Sequence, residues 1–368
     1  MRVILFGASG YTGRLTAAEL GRRDVPLVLA GRSTGRVEAV RDELAVVADV
    51  ATADATDPAA VAALLEPGDV LVTTVGPFAR VGRPAVAATV SVGCSYLDST
   101  GEHSFLRWLL SQDEPARASG ATLVPAFGFD YVPGNLAAAL AVEAAEGDVA
   151  SVRVGYFGLG AGISGGTRAS ALGMLLEPGY RWSGGRLTPE PVARRVRTFE
   201  VSGRNRTGVS IAGSEPLFLP RTFDLQEVEV YLAVPGVGDH MSALSWLSRV
   251  LSTATRVPGL AAATRALVDR VPGSTGGPSA AARSRSRSYV VAEAVSASGA
   301  TVGRALLVGP DPYDLTAALL AEGAARMLAG HTVASGGGVL GPVEVFGVRG
   351  LRELAATAGM VLDERSPR

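Results

Sequence analysis

The strongest constraint on the fold is a glycine-rich turn that follows the first apolar segment. Val3–Phe6 is apolar, and the sequence GASGYTG at residues 7–13 follows directly and opens a helical pattern. A strand, a Gly-x-x-Gly-x-x-Gly turn and a helix in this order are typical of a dinucleotide-binding unit. The free N–H groups of the first helical turn would bind phosphate oxygens. The alternative is an ordinary glycine turn. The residues expected to hold a diphosphate are Gly7, Ser9, Gly10, Tyr11, Thr12 and Gly13.

The first 130 residues alternate between short apolar strands and helical segments, which predicts a parallel sheet covered on both faces. The predicted strands are Val3–Phe6, Pro26–Ala30, Ala45–Val50, Val70–Val75, Ser95–Leu97 and Ala121–Pro125. The predicted helices are Thr12–Arg23, Arg36–Leu44, Pro58–Leu65, Pro84–Val92 and Glu102–Ser111. We therefore expect an α/β fold in which residues 1–132 form a doubly wound Rossmann domain.

From Val149 onward the pattern changes, and strands followed by helices predict a second domain of the α+β class. The predicted strands are Val149–Phe157, Val192–Val201, Asp224–Val234, Tyr289–Val295 and Ala300–Val308. The predicted helices are Arg168–Leu176, Asp239–Val271, Pro312–Leu328 and Arg349–Ala358, and Gly273–Ser288 is predicted as a mobile loop. We expect residues 133–345 to form a substrate or dimerisation domain, and residues 346–368 to pack back on the Rossmann domain.

Residues 31–33, at the end of the second predicted strand, indicate which cofactor would bind. NAD-binding folds place an acidic residue here for the ribose hydroxyls. This chain instead has Arg32, which offers a guanidinium to a 2′-phosphate, and Ser33, which offers a hydroxyl. The sequence thus predicts NADPH, the alternative being a solvated arginine. Asp54 would approach the adenine or would only begin a helix.

The end of the fourth predicted strand is expected to hold the nicotinamide half of the cofactor. In doubly wound sheets, ligands bind at the point where the strand order reverses. A stiff proline and a glycine that permits close approach suit this position, although a plain strand-ending turn is the alternative. The residues concerned are Val75, Gly76, Pro77 and Phe78.

Composition excludes several functional classes. The net charge of −1 gives no basic field for nucleic acid. All 34 basic residues are arginine, so neither a Schiff-base lysine nor a Tyr-x-x-x-Lys pair can form. The single cysteine, Cys94, favours a cytoplasmic protein without disulfides. No spacing suggests a metal site, and no apolar stretch reaches the roughly 18 residues of a membrane span.

Candidate proton donors lie in two loops that follow the fifth and sixth predicted strands. Tyr131 is our first choice as proton donor or substrate orienter, unless its ring only packs at the domain junction. Asp130 is a second candidate, unless it caps the following helix. Glu102 and His103 are further candidates, although a glutamate at a helix start is favoured by the helix dipole alone.

Substrate contacts are expected from Tyr96 and from a second glycine-rich loop containing Gly165, Gly166 and Thr167, which could also be a helix-entry turn. The arginine-rich run at residues 283–287 is expected to be a solvated loop or a docking site for an acidic carrier protein. The apolar segment Ser242–Val271 is expected to be core, although a homodimer interface or a peripheral membrane contact is an alternative.

Taken together, the motifs resemble those of the saccharopine dehydrogenase-like reductases, in particular the branch of trans-acting enoyl reductases. The resemblance spans almost the whole chain, and it rests on residues 7–13, 31–32, 75–78, 96–102, 128–133, 164–167 and 336–342. It implies an NADP-binding Rossmann domain joined to an α+β domain. Saccharopine dehydrogenases are thought to use lysine and histidine near the substrate, and this chain has no lysine.

The expected function is NADPH-dependent reduction of a polarised double bond. An enoyl (C=C) thioester, free or tethered to a carrier, is favoured by the resemblance alone. Reduction of an imine (C=N) and a non-catalytic NADPH-binding role are the alternatives, because a fold does not determine a function.

Overall fold

We describe the protein from a computed structural model, which covers residues 1–159, 179–233 and 276–363. The chain forms two compact units, one of residues 1–132 and 313–359 and the other of residues 133–312 and 360–368. The chain therefore re-enters the first unit at Tyr313, whereas we predicted that residues 346–368 pack back on it. The earlier return has a physical basis, because the Thr316 hydroxyl accepts a hydrogen bond from the Phe129 amide and ties the returning helix to the first unit.

The described residues contain sixteen strands and twelve helices. The strands are β1 (Val3–Phe6), β2 (Leu27–Gly31), β3 (Asp49–Thr52), β4 (Val70–Thr73), β5 (Ser95–Asp98), β6 (Thr122–Val124), β7 (Ser151–Leu159), β8 (Tyr180–Ser183), β9 (Arg186–Pro189), β10 (Val196–Val201), β11 (Arg204–Ile211), β12 (Glu227–Leu232), β13 (Arg287–Val295), β14 (Thr301–Gly309), β15 (Gly338–Val339) and β16 (Val361–Leu362). The helices are α1 (Tyr11–Leu20), α2 (Thr34–Leu44), α3 (Pro58–Ala62), α4 (Phe78–Val81), α5 (Arg83–Val92), α6 (His103–Leu110), α7 (Asp113–Ser119), α8 (Val132–Glu143), α9 (Glu215–Thr222), α10 (Ala280–Arg283), α11 (Pro312–Leu328) and α12 (Pro342–Thr357).

The first unit is built on a seven-stranded, fully parallel sheet. Its strand order is β15-β6-β5-β4-β1-β2-β3, which contains the Rossmann order 3-2-1-4-5-6 and confirms the predicted fold class. All four residues of β1 and of β4 are buried, as expected for a sheet covered on both faces. Because β1 and β4 are neighbours, the reversal of strand order lies between them.

The second unit contains a nine-stranded mixed sheet. The order of seven strands is β10-β11-β12-β7-β13-β14-β16, and β8 joins β12 and carries β9. Among the described strands of this sheet, only β7 and β12 pair in parallel, and β13 and β14 form an antiparallel hairpin. One face of the sheet buries a cluster that includes Phe157, Phe199 and Tyr231. This mixed sheet is the predicted second domain.

Two strands begin four residues later than predicted, and both shifts follow an alanine with positive φ. Ala45 (φ 50°) ends α2 in the left-handed conformation, so the third strand begins at Asp49 instead of residue 45. Ala193 (φ 57°) interrupts an extended path, so the strand predicted from residue 192 begins at Val196. Because alanine disfavours this conformation, no local pattern predicts it.

The predicted mobile loop at residues 273–288 is also corrected, within its described part. The Ser279 hydroxyl accepts from the Ala282 amide and caps the short helix α10. Ser288 then pairs with Gly158 in β7 and is fully buried. Arg283 and Arg287 donate to nearby backbone carbonyls, so two arginines of the predicted docking run are partly engaged.

The predicted helices Arg168–Leu176 and Asp239–Val271, and with them Gly165, Gly166, Thr167 and the apolar segment 242–271, lie outside the described residues. Among the described helices, none is both long enough and apolar enough to cross a membrane.

Candidate active site at the carboxyl ends of the parallel strands

The glycine turn between β1 and α1 is shaped by the backbone itself. Gly7 has a φ of 97°, and its carbonyl oxygen accepts from the Gly10 amide at 2.9 Å. A Cβ added at Gly13 would overlap the Gly7 carbonyl, so only glycine allows the helix to begin this close to the turn. Gly10 is the N-cap of α1, and as a glycine it has no side chain that could cap the helix. The amino end of a helix that follows such a turn can bind an anionic ligand through its backbone N–H groups.

The loop after β4 packs directly against this turn. The Thr74 amide donates to the Phe6 carbonyl at 3.0 Å, and the Thr74 hydroxyl donates to the Gly7 carbonyl at 3.3 Å. A Cβ at Gly7 would lie 2.8 Å from both Thr74 Oγ1 and a methyl group of Val75. The ends of two neighbouring strands therefore meet where the strand order reverses, as the ligand site of a doubly wound sheet requires.

Two predicted diphosphate residues have neighbours that place them beside the turn. The half-buried Tyr11 packs edge-on against Tyr313 of the returning segment, with ring centroids 5.2 Å apart. Ser9 is also half-buried, and its hydroxyl lies 3.9 Å from where a Cβ of Gly31 would be. The turn thus borders the end of β2, where the adenosine end of a cofactor is expected.

Arg32 and Ser33 are exposed beyond the end of β2. Ser33 is the N-cap of α2, and its side chain makes no capping hydrogen bond. Within the described residues Arg32 has no ion-pair partner, which leaves its guanidinium to an external anion. Asp54 is exposed, and hydrogen bonds from the Thr56 amide and hydroxyl lower the pKa of its carboxyl, with a smaller contribution from Arg32.

A buried carboxyl group, Asp98, organises the loops after β5 and β6. Its Oδ1 accepts from the amides of Thr100 (2.9 Å) and Ala126 (2.8 Å), and its Oδ2 accepts from the Tyr96 hydroxyl (2.7 Å). Burial raises the pKa of Asp98 to about 6, although these hydrogen bonds oppose the shift. This role of Asp98 was not predicted, although Asp98 and Thr100 lie in the same motif as Glu102, residues 96–102.

The next carboxylate, Glu102, joins this loop to the loop that follows β4. Its two oxygens accept from the amides of Phe78 and Ala79, each at 2.9 Å, and only 7% of the residue is exposed. The Glu102 amide itself donates to the Thr100 hydroxyl at 3.1 Å. Both oxygens of Glu102 are thus engaged with backbone N–H groups, which favours a structural role over the predicted role as a proton donor.

Asp130 differs from the two preceding carboxyl groups in its hydrogen bonding. It is half-buried, it makes no hydrogen bond within the described structure, and its Oδ2 lies 3.3 Å from where a Cβ of Gly101 would be. Burial raises the pKa of Asp130 to about 6. Tyr131, our first choice, is only 1% exposed, and its hydroxyl donates to the Gly101 carbonyl at 3.2 Å. The ring is therefore part of the core, as in the alternative given for Tyr131 above, and Asp130 stays the second predicted candidate.

Two further candidates are buried away from any open surface. Tyr96 is fully buried on β5, and its hydroxyl is bonded to Asp98, so it does not offer a substrate contact. His103 is the first residue of α6 and is 1% exposed. Both predictions rested on position after a strand, which does not reveal the direction of a side chain.

The sheet order and the glycine turn define a protein of the Rossmann dinucleotide-binding class. No protein-family profile matches the chain. A trans-acting enoyl reductase of Mycobacterium tuberculosis is 33% identical over 408 aligned residues, which cover 98% of this chain and 96% of the relative. A trans-acting enoyl reductase of Mycobacterium ulcerans is 41% identical over 140 residues, which cover 36% of this chain and 34% of the relative.

This chain therefore belongs to the family of trans-acting enoyl reductases, and it is an oxidoreductase. The fold agrees with that of a solved structure, apo saccharopine dehydrogenase (L-Glu forming) from Saccharomyces cerevisiae. The two superpose with a TM-score of 0.62 over 98% of each chain, at 15% sequence identity. The similarity of fold therefore covers nearly the whole chain, as the resemblance of the motifs predicted.

We expect Asp98→Ala to destabilise the first unit severely. The substitution leaves three buried donors without an acceptor, and each costs about 1–3 kcal/mol. The free energy of unfolding should fall by at least about 3 kcal/mol in urea titrations followed by tryptophan fluorescence. The matched variant Tyr96→Phe removes one of these donors and should cost about 1 kcal/mol. Equal, small losses in the two variants would contradict the role assigned to Asp98.

Proposed function

We propose that this protein is an NADPH-dependent reductase of an activated C=C bond in an enoyl thioester. The observation that carries the proposal is the glycine turn before α1 together with an exposed Arg32 that has no ion-pair partner among the described residues, within a chain that is related over 98% of its length to a trans-acting enoyl reductase. The first two features suit a dinucleotide with an extra phosphate, and the relationship indicates the bond to be reduced.

The chain's own residues fit the cofactor. Glycine at positions 7 and 13 lets the start of α1 and the end of β4 approach the turn closely, as a dinucleotide-binding turn requires. The N–H groups at the start of α1 would hold the diphosphate, Arg32 and Ser33 would hold the 2′-phosphate, and Val75–Phe78 would lie at the nicotinamide end. NADPH, when bound, supplies a hydride from C4 of its nicotinamide.

The protein's part in the chemistry is to position the enoyl thioester and to deliver a proton. Hydride addition at the β-carbon leaves negative charge on the α-carbon and thioester oxygen, and a proton at the α-carbon completes the saturated product. We assign that proton to Asp130, because its carboxyl is half-buried, unbonded and partly protonated near neutral pH. A neighbouring solvent molecule would return the proton to Asp130 after each turnover.

The direct test is consumption of NADPH, followed at its nicotinamide absorbance, with an enoyl thioester of pantetheine as substrate. We expect saturation of the double bond, with one product formed for each NADPH consumed. Turnover of a cyclic imine in place of the thioester would favour the C=N alternative. Binding of NADPH without turnover of either would favour a non-catalytic role.

Substitution of Arg32 should separate the two nicotinamide cofactors. A charge-assisted hydrogen bond contributes about 1.5–3 kcal/mol, so Arg32→Ala should weaken NADPH binding roughly 10- to 150-fold and leave NADH binding nearly unchanged. Arg41→Ala is the matched control, because Arg41 lies on α2, the helix that follows Arg32, and is already paired with Asp42. Equal losses for NADPH and NADH in Arg32→Ala would refute the 2′-phosphate assignment.

The pH dependence of turnover should report on Asp130. Its raised pKa keeps the donating form present up to about pH 6, so kcat should fall as the pH rises above that value, by up to about tenfold per pH unit. In Asp130→Asn the rate should be low and this fall should be absent. Asp98 also titrates near pH 6, so an unchanged profile in Asp130→Asn would assign the titration to Asp98 and overturn the proton-donor assignment.

A further inference from the structure

The contact between Glu102 and helix α4 has a functional consequence beyond holding two loops together. One carboxylate spans two consecutive backbone amides, Phe78 N and Ala79 N, at the start of a helix of only four residues. The proline before them, Pro77, is the N-cap and has no side-chain hydrogen bond to offer. The amino end of α4 is therefore satisfied by a residue that lies 23 or 24 positions further along the chain.

The loop between β4 and α4 is held at both ends. At its beginning, the Thr74 hydroxyl and the Val75 side chain contact the glycine turn. At its end, Glu102 binds the two amides. Between these anchors lie Gly76 and Pro77, which border the reversal of strand order, where the nicotinamide end of a dinucleotide is expected. Glu102 thus provides one of the two anchors that position this segment, the one at its carboxyl end.

Glu102 is itself held in place by a chain of hydrogen bonds. Its amide donates to the Thr100 hydroxyl, and the Thr100 amide donates to Asp98, whose carboxylate also binds the Ala126 amide. This arrangement links the ends of β4, β5 and β6 through three short side chains. A shift of Glu102 would therefore move the loop after β4 relative to the glycine turn.

We infer that Glu102 is a positioning residue for the nicotinamide end of the cofactor, acting through the Gly76–Phe78 segment. The inference rests on the proposed function. It predicts a distinct pattern: loss of Glu102 should impair hydride transfer and binding of the nicotinamide half, while binding of the adenosine half at Arg32 should stay intact. A proton donor would give a different pattern, because it would change the pH profile.

The test is Glu102→Gln, in which one oxygen remains and an NH₂ group faces the second backbone N–H. The two probes are NADPH and adenosine 2′,5′-bisphosphate, which lacks the nicotinamide. We expect the Kd for adenosine 2′,5′-bisphosphate to change less than about twofold and the Kd for NADPH to rise about tenfold. With an enoyl thioester, kcat should fall roughly 100-fold, as expected for a misplaced reacting group, and its pH profile should keep its shape.

Asp69→Asn is the matched control. Asp69 is also a buried carboxylate that accepts from two backbone amides, those of Arg2 (2.8 Å) and Glu66 (3.0 Å), but it lies at the amino end of β4. Its substitution should lower the melting temperature and leave the ratio of the two dissociation constants unchanged. Should Glu102→Gln fail to fold, Thr100→Val removes the acceptor that holds the Glu102 amide and should move the same ratio in the same direction, to a smaller extent.

The outcomes are separable. Equal weakening of both probes in Glu102→Gln, or a ratio that stays at the wild-type value, would overturn the positioning role. A shifted pH profile in that variant would make Glu102 a proton donor and would overturn it as well. If the unmodified protein binds neither probe, the proposed function fails instead, whatever Glu102 does.

Discussion

The site of the first unit depends on the close approach of helix α1 to the carbonyl oxygen of Gly7. Glycine at position 13 permits this contact, because any side chain there would overlap that oxygen. Gly7 is pressed in turn against Thr74 and Val75, which belong to the neighbouring strand end. A contact between backbones thus brings together the ends of β1 and β4. The strand order reverses between these two strands, and ligands of doubly wound sheets bind at that point.

The buried carboxyl groups at this edge of the sheet have different roles. Asp98 and Glu102 are occupied by backbone amides and bind the loops together. Burial raises the pKa of both Asp98 and Asp130 to about 6, but Asp130 makes no hydrogen bond within the described structure. Two carboxyl groups thereby serve as scaffold, and a third is the candidate acid. The difference lies in whether backbone N–H groups occupy the carboxyl oxygens.

Local signals in the sequence were sufficient for the Rossmann unit. Strand–turn–helix order and glycine spacing predicted the turn at Gly7, and the apolar runs predicted the parallel sheet. Contacts across long separations could not be predicted, as the bond between Phe129 and Thr316, 187 positions apart, illustrates. A glutamate at the start of α6 was recognisable, but nothing local indicates that its oxygens bind Phe78 and Ala79. The sequence also does not show the direction of a side chain, so Tyr131, which is buried, was predicted as a proton donor.

The central claim is that α1 and Arg32 together hold a phosphorylated dinucleotide. A crystal structure of the NADPH complex tests it most directly. The account predicts diphosphate oxygens on the first N–H groups of α1 and a 2′-phosphate within hydrogen-bond distance of the Arg32 guanidinium. A cofactor bound elsewhere, or one whose 2′-phosphate points away from Arg32 into solvent, would contradict it.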